Sequence, residues 1–475
     1  MKPIHAWILV GCATLLFTSS GAHAQAARQP DWRAIEAETM EHYLALLRLD
    51  TSDPPGREQP AVDYLKSVLE RDGIPVETFT LEPNRPNLVA RLKGSGRKRP
   101  VLIMGHTDVV NVDPAKWTYP PFSATRAGGY VYGRGTRDDK DNVVAGLMIL
   151  LTLKRLGIPL DRDVIFLAEA GEEGSTRVGI QFMVNQHFPT IDAEYCLAEA
   201  GPVARVGGVL KYAGVLTTEK IPRAIELTAR GTAGHGSVPL QSNAITHLAR
   251  ALRALTDWQP PIRLNETTKT YFQRLASISS PADAARYLDI ISGDSTRVRL
   301  ADEYFRAREP VHGSMIRTSI SPTMLTAGYR VNVIPAEAKA TLDVRMVPGE
   351  DTAAFLTRLR DVIADSAVTV AYATRDVRPS TPPSAINNEA FRVIEDAVTR
   401  NYGVTTLPYL VPGASDMAYL RARGMQCYGI DPAADVEEAQ RGFGPHSDQE
   451  RVLESDLHKF LRFHYEVVER LARRN

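Results

Sequence analysis

Two long apolar runs constrain the fold of this chain most strongly. Val101–Met104 is apolar at every position, which is typical of a strand buried on both faces of a sheet. Val143–Leu156 is apolar over a length that suits a buried helix, and it stops at Gly157. His106 follows the first run and Asp138 precedes the second. An imidazole and a carboxylate therefore lie at the ends of core elements, where parallel α/β sheets bind ligands.

The composition is that of an ordinary globular protein with more than one domain. At 475 residues the chain is too long for a single hydrophobic core. Apolar residues make up 44% of it and charged residues 24%. The formal net charge is zero, which argues against nucleic acid as the main partner. Beyond the N-terminus no apolar run approaches the roughly 20 residues of a membrane-spanning helix, so no integral membrane segment is expected.

The N-terminus has the pattern of an export signal. Lys2 precedes the apolar stretch Ala6–Phe17, and Ala22–Ala24 supplies a small-residue cleavage site. We therefore expect residues 1–24 to be a signal peptide and the mature protein to be periplasmic or secreted. The alternative is a lipoprotein cleavage box ending at Cys12, but the apolar run before it is short.

Further apolar strands extend the pattern into an α/β domain. Val164–Ala168 and Tyr195–Ala198 are continuous apolar strands separated by helical segments. Alternation of strands and helices predicts a mainly parallel sheet with helices on both faces, that is, a three-layer α/β/α catalytic domain. The pair Glu172-Glu173 follows the first of these strands, and Glu199 follows the second. These carboxylates are thus expected at the ligand-binding edge of the sheet.

A second, smaller domain is expected over residues 215–373. Its elements occur in the order β-α-β-β-α-β, with strands expected at Thr326–Val333 and Ala338–Met346. This order predicts a ferredoxin-like α+β domain inserted into the larger one as a lid or dimerisation domain. An insertion at about 257–323 is too long for an ordinary loop and is either an elaboration of the small domain or an interaction surface. The catalytic domain then comprises residues 31–214 and 374–475.

Five short motifs contain groups suited to a two-metal hydrolase. Such a site needs a bridging carboxylate, terminal imidazoles and carboxylates, and a base beside a water molecule. The motifs, in chain order, are G-H-T-D at 105–108, G-R-G-T-R-D-D-K at 133–140, the pair Glu172-Glu173, A-E-A-G at 198–201 and G-P-H-S at 444–447. Together they resemble the family of zinc peptidases and amidohydrolases that includes aminoacylase, glutamate carboxypeptidase, acetylornithine deacetylase and the carnosinases. The resemblance covers nearly all of the chain after Asp31.

The resemblance implies two zinc ions per subunit, with cobalt or manganese as alternatives. It assigns His106, Asp138 and Glu199 to one ion, and Asp138, Glu173 and His446 to the other. Asp138 would bridge the two ions. Glu172 would be the general base, and Asp108 would orient the imidazole of His106.

The small domain also resembles the same family. His235, in the segment G-T-A-G-H-G-S-V-P at 231–239, matches the histidine that reaches the active site of the partner subunit, which implies a homodimer and a role in catalysis. Asn332 and Arg345 match residues that hold the substrate. A guanidinium at Arg345 suits a free carboxylate, because it can bind both oxygens.

The function expected from these residues is a metallopeptidase that cuts small peptides next to a free C-terminal carboxylate. Within the same class, an N-acyl-amino-acid hydrolase (deacylase) or a dipeptidase is the alternative, since the motifs are shared. From a different class, the alternative is a catalytically silent binding or scaffold protein on the same fold. The retained base Glu172 and the complete set of ligands argue against a silent protein.

Overall fold

The structure is a computed structural model that describes Met1 and residues 29–373 and 378–474. The expected signal peptide, residues 1–24, and the alternative anchoring site at Cys12 lie outside the described residues, apart from Met1.

Ten strands of the described chain form one large mixed sheet. Its four central strands are parallel, as the sequence predicts, in the order Val164–Glu169, Val101–His106, Tyr195–Ala198 and Gln426–Gly429. Beyond the first of them lie Pro86–Leu92 and Val76–Thr80, both antiparallel to their neighbours. Beyond the last lie Val209–Glu219, which is antiparallel to it, and then Val203–Val206, Ala433–Asp435 and Thr405–Val411.

Helices cover both faces of the large sheet, so the sheet is the middle of three layers. Along Val101–His106 every residue is buried; Val101 and Ile103 belong to one core, and Leu102 and Met104 belong to the other. The first core contains residues of Trp32–Leu47, Gln59–Arg71, Lys140–Leu156, Glu389–Tyr402 and Glu454–Ala472. The second contains residues of Ile180–Gln186, Phe188–Ile191 and Met417–Arg421.

The smaller unit of the fold is built on a four-stranded antiparallel sheet. Its spatial order is Ser319–Ala327, Glu337–Met346, Ile221–Arg230 and Val368–Tyr372. The helices Ala244–Asp257 and Thr352–Ile363 share a buried core with these strands. The order β-α-β-β-α-β is ferredoxin-like. The fold class predicted from the sequence, an α/β sandwich with an inserted ferredoxin-like α+β unit, is confirmed.

Two boundaries within the small sheet differ from expectation. The strand expected at Thr326–Val333 instead occupies Ser319–Ala327, with a register shift between Pro322 and Met324. A proline in an edge strand is tolerated because its missing N–H faces outward. The large sheet also continues through Glu219, so the chain passes to the small sheet at Lys220 rather than near residue 215.

The expected insertion forms helices that pack on the large sheet. They are Glu266–Ser277, Pro281–Ile290, Ser295–Arg308 and Pro310–Met315. Their aromatic core, which includes Phe272 and Phe305, also contains Leu407 and Leu410 of the strand Thr405–Val411. Arg274 donates to the carbonyl of Thr406 at 2.9 Å. These helices therefore cover the outer edge of the large sheet, which protects its unpaired backbone groups.

Short elements complete the described chain. Two-stranded pairs form between Ser52–Asp53 and Val109–Val110 and between Gly234–His235 and Val333–Ile334, and a three-stranded sheet contains Thr125–Ala127, Tyr130–Tyr132 and Arg451–Leu453. The remaining helical turns are Pro114–Lys116, Val436–Glu438 and Ala439–Phe443. Among the described helices, none has the length and apolar character that crossing a membrane requires.

Candidate metal centre and active site

His106 is held at the C-terminal end of a central strand. Its side chain is 2% exposed, and its backbone N–H donates to Asp139 Oδ2 at 3.1 Å. The ring atom Nδ1 lies 3.0 Å from the backbone carbonyl of Asp108 and 3.6 Å from that residue's carboxylate. With Nδ1 engaged in this way, Nε2 is directed toward the other candidate ligands. The nearest of these is Asp138, whose Oδ1 lies 3.0 Å away.

Asp138 lies between the two imidazoles. Its second oxygen, Oδ2, is 3.0 Å from Nε2 of His446, so each carboxylate oxygen faces a different ring. Burial acts to raise the pKa of Asp138, but hydrogen bonds from His106 and His446 outweigh it and lower that pKa. The residue lies two positions before the buried helix that begins at Lys140, next to the N-cap residue Asp139. A carboxylate in this position has the geometry of a bridge between two cations.

His446 comes from a distant part of the chain. It follows Gly444 in a loop, its φ is +60°, and its side chain is half exposed. Its Nε2 lies 2.8 Å from Glu173 Oε1. Hydrogen bonds to Asp138 and Glu173 raise the pKa of His446 to about 10. The side chain therefore closes the site opposite His106.

Two more carboxylates complete the cluster. Glu199 Oε2 lies 3.9 Å from His106 Nε2. Burial, together with the charge of Glu172, raises the pKa of Glu199 well above its ordinary value. Burial also raises the pKa of Glu173 to about 7. Carboxylates buried this closely together repel one another unless cations lie between them.

The donor set fits a pair of divalent cations. Asp138 faces both imidazoles, Glu199 lies on the His106 side, and Glu173 lies on the His446 side. Imidazole and carboxylate donors suit zinc, cobalt or manganese better than calcium or magnesium. The structure thus brings together the five side chains predicted as ligands, and their assignment to two ions stays a prediction.

Asp108 holds the turn that carries the acidic pair. Its buried carboxylate accepts the backbone N–H of Glu172 at 3.2 Å and that of Glu173 at 3.0 Å. The sequence predicts that this carboxylate orients His106. In the structure the backbone carbonyl of Asp108 makes the closer contact with that ring. Asp108 therefore contacts both the ring of His106 and the backbone of the Glu172-Glu173 pair.

The structure adds two residues that the sequence analysis did not identify. Arg378 Nη2 donates to Glu172 Oε1 at 2.9 Å, and Nη1 lies 3.1 Å from Asp416 Oδ1. Asp416 is fully buried, and burial raises its pKa well above the ordinary value. Asp139, which accepts from the backbone of His106, is the second. Asp139 could have been identified from its position within the motif G-R-G-T-R-D-D-K. Arg378 lies in no recognisable motif.

A cavity of about 400 Å³ lies between the acidic pair and the small sheet. Glu172 and Glu173 line it from the large domain, and Arg345 lines it from the strand Glu337–Met346. The guanidinium of Arg345 binds both oxygens of Asp343, at 2.8 and 3.2 Å. Arg345 is therefore in the same cavity as the expected base, although its charge is already paired.

His235 and Asn332 lie away from this cavity. His235 is exposed and its Nδ1 bonds to the hydroxyl of Ser237 at 2.7 Å. The carbonyl of Asn332 accepts the N–H of Gly236 at 2.9 Å, so the two predicted residues are neighbours. Neither lines the cavity beside Glu172 in the described chain.

Comparison with known proteins assigns the family. The model of peptidase family M20/M25/M40 matches residues 102–470, which is most of the chain. The chain belongs to peptidase family M20/M25/M40. The family predicted from the five motifs is thereby confirmed, and the M20 protein is a hydrolase of the metallopeptidase and amidohydrolase group that acts on amide bonds.

Relatives of this M20 protein are named for different activities. It is 28% identical over 393 residues to the probable carboxypeptidase S-like 2 of Dictyostelium discoideum, covering 80% of this chain and 74% of that protein. It is 30% identical over 300 residues to the N-fatty-acyl-amino acid synthase/hydrolase PM20D1 of Homo sapiens, covering 61% and 56%. The M20 family metallo-carboxypeptidase Sso-CP2 from Sulfolobus solfataricus has the same fold, with a TM-score of 0.68 at 19% identity over 91% of this chain and 98% of that one.

Proposed function

We propose that this M20 protein is a two-zinc, carboxypeptidase-like enzyme that hydrolyses the amide bond next to a free C-terminal carboxylate. One observation carries the proposal: Asp138 directs one oxygen to each of two imidazoles that come from distant parts of the chain. His106 and Glu199 would hold one ion with Asp138, and Glu173 and His446 would hold the other. Cobalt or manganese could replace zinc in the same ligands.

The residues around this centre suit general base catalysis. When bound, the two cations would polarise the substrate carbonyl and lower the pKa of a water molecule toward neutrality. Glu172 would accept the proton of that water and then deliver it to the leaving nitrogen. Its carboxylate is held by Arg378 and is not one of the side chains that meet Asp138. Glu172 is thus available as a base beside the metal ligands.

Polar side chains that line the cavity, beside the apolar Pro222, Ala224 and Leu342, support a polar substrate ahead of a long acyl chain. Side chains from both domains that can form hydrogen bonds line the cavity, namely Ser175, Thr176, Thr323, Thr341, Asp343, Arg345, Arg378 and Tyr419. Burying a long hydrocarbon among such groups would leave their hydrogen bonds unmade. We therefore place a peptide with a free carboxylate, which would compete with Asp343 for Arg345, ahead of a fatty-acyl amino acid. A short N-acyl amino acid (deacylase) or a free dipeptide is the second candidate, because the same polar groups would accept it.

His235 supports a homodimer as the functional unit. It is exposed and next to Asn332, and neither lines the cavity beside Glu172 of its own chain. A second copy would bring His235 to the substrate carbonyl, where a donor stabilises the developing negative charge. Asn332 would then contact the substrate from the same side. Export, expected from residues 1–24, belongs to the same proposal.

The decisive experiment pairs two variants with a zinc measurement. Glu172→Gln should retain wild-type zinc and lose turnover by about 10²–10⁴-fold, since it removes only the base. His106→Ala should lose zinc as well as activity. The substrates are N-blocked dipeptides, free dipeptides and N-acyl amino acids, each tested with and without a chelator.

The outcome separates the candidate functions. Fastest turnover of N-blocked dipeptides supports the carboxypeptidase, and preference for another group assigns the deacylase or dipeptidase. A wild-type protein that binds no zinc and hydrolyses nothing would instead support a silent scaffold. A fully active Glu172→Gln enzyme would falsify the assignment of the base.

A further inference from the structure

We propose that Glu450 and Arg134 are positioning residues for the metal centre. Their buried ion pair fastens the turn that ends at Asp138 to the loop that carries His446. This inference rests on the proposed function, because it concerns the affinity of the proposed zinc site. None of the hydrogen bonds of these two side chains goes to a candidate ligand side chain in the described chain. They would therefore act through backbone position alone.

Glu450 organises the turn at residues 133–137. Its side chain is fully buried, and its Oε2 accepts from Arg134 Nη1 at 2.6 Å and from the N–H of Gly135 at 3.1 Å. Its Oε1 accepts from the N–H of Arg137 at 2.8 Å. Several backbone N–H groups directed at one anion form a nest. The turn thus takes its shape around this carboxylate, and Asp138 is the next residue along the chain.

The turn also depends on glycine at position 135. Gly135 has a φ of +84°, in the left-handed region that side chains disfavour. A Cβ added there would lie 2.8 Å from Cγ1 of Val109. The backbone of the turn is therefore specified at two points, the glycine and the buried acceptor.

Arg134 connects Glu450 to the backbone beside the second candidate ligand, His446. Its Nη2 donates to the carbonyl of Ser447 at 3.1 Å, and Ser447 directly follows His446. The guanidinium is 2% exposed and lies 5.3 Å from the ring of Trp117. One planar fork therefore joins the carboxylate of Glu450 to the backbone beside His446.

These contacts set the separation of two ligands. Asp138 Oδ2 and His446 Nε2 lie 3.0 Å apart, and each is adjacent in sequence to a residue that this ion pair fixes. Metal–ligand distances tolerate changes of only about 0.2 Å. Loss of a residue that supports ligands from outside the coordination sphere typically lowers metal affinity by about 10–100-fold. We expect a loss of that size, largest for the ion shared by Asp138, Glu173 and His446, because Asp138 would bind both ions and His446 only this one.

The test compares two glutamates on the same stretch of chain. Glu450→Gln keeps the size of the side chain and removes its charge. Glu454→Gln is the matched control, because Glu454 pairs with Arg126 through two bonds, at 2.8 and 2.6 Å, but with an exposed guanidinium. Zinc is removed from each folded protein, and both binding constants are measured by competition with a chelator. The unfolding midpoint of the metal-free protein is recorded beside them.

The expected result is a drop of about 10–100-fold in zinc affinity for Glu450→Gln, largest at the ion shared by Asp138, Glu173 and His446, and wild-type values for Glu454→Gln. A merely structural role would lower the unfolding midpoint and leave both affinities unchanged, which would overturn the inference. If metal-free Glu450→Gln does not fold, Arg134→Lys carries the test. A lysine at position 134 has one ammonium group and cannot bind Glu450 and Ser447 as the two guanidinium nitrogens do, so the same drop in zinc affinity is expected. Wild-type protein that binds no zinc would contradict the proposed function itself.

Discussion

At the scale of single residues, short motifs predicted most of the side chains that the structure brings together at the candidate metal centre. His106, Asp138 and Glu173 each lie in a contiguous pattern, so their convergence was foreseeable. Arg378 lies in a polar stretch before Pro379, and nothing in that stretch marks a functional residue. Its role depends on a long-range contact with Glu172, which the spacing of residues along the chain does not encode.

Arg378 should matter for turnover and not for metal. It joins Glu172 to the buried Asp416, so Arg378→Gln would free the base and leave a buried carboxylate without its cation. A misplacement of about 1 Å can cost on the order of 100-fold in rate, and we expect kcat to fall by about that factor. Zinc content should be unchanged, because the ion pairs of Arg378 with described residues are to Glu172 and Asp416, which are not candidate ligands.

The control for this variant is Arg126→Gln, which removes an exposed arginine. Combining Arg378→Gln with Glu172→Gln should add little further loss, since both act on the same step. Unchanged kcat in Arg378→Gln, or additive losses in the double variant, would show that Arg378 does not support the base.

At the scale of elements, the strands with the strongest apolar pattern were the most predictable. Val101–Met104 is buried on both faces, and both faces recruit apolar side chains. The strand Ser319–Ala327 was misplaced because it is an edge strand, exposed along most of its length, and it contains Pro322. An exposed strand needs no regular apolar pattern, so the sequence carried no clear signal for where this strand begins and ends.

The junction between the two sheets contains a buried lysine. Lys220 is the single residue between the strands Val209–Glu219 and Ile221–Arg230. Its Nζ donates to the hydroxyls of Ser314 and Ser319, at 3.3 and 2.9 Å. Burial lowers its pKa from 10.5 to about 7. The folded state therefore disfavours the charged form that the unfolded chain carries at neutral pH.

This lysine should make the protein more stable as the pH rises. Between pH 7 and about 10.5 the unfolded chain binds a proton at Lys220 that the folded chain releases, so the free energy of unfolding increases with pH. The slope from this group is at most about 1.4 kcal/mol per pH unit. Lys220→Met should therefore gain most over wild type at pH 7, and that gain should shrink toward pH 10.

Urea unfolding at several pH values measures this difference. The variant Lys66→Met, which removes a charge from an exposed helix position, is the control. Burial also lowers the pKa of Lys140 to about 7, so this second lysine contributes to the same pH dependence. Lys220→Met should therefore remove only part of the slope of the unfolding free energy against pH. A constant difference between Lys220→Met and wild type across this pH range would contradict the prediction.

At the scale of the whole molecule, the three-layer α/β/α domain and the inserted ferredoxin-like unit were predictable from the sequence, but the location of the insertion at 257–323 was not. The expected choices were an elaboration of the small domain or an interaction surface. The helices instead share a core with Leu407 and Leu410 of the large sheet. Their apolar faces resemble those of any amphipathic helix, so the sequence does not reveal which edge they cover.

The small sheet leaves an apolar edge exposed. Ser319–Ala327 is its outermost strand, and Leu325 and Tyr329 are 63% and 83% exposed. An uncovered strand edge with large apolar side chains is a typical site for association. Leu325→Glu should therefore convert the proposed homodimer to monomers, because it places charge on that edge.

Sedimentation, zinc content and turnover should be measured together for this variant. We expect monomers with wild-type zinc and strongly reduced turnover, since His235 of the partner subunit would no longer reach the substrate. Leu300→Glu, on an insertion helix and 53% exposed, is the control and should remain dimeric. Fully active monomers of Leu325→Glu would refute a role for the partner in catalysis.

The position of His446 also bears on when the protein becomes active. It lies 273 residues after Glu173, and four of the five candidate ligands precede it in the chain. A polypeptide still on the ribosome has those four long before it acquires the fifth. Nascent chains and fragments that lack this late segment should hence be inert. Hydrolysis should therefore begin only after the segment that contains His446 has been translated.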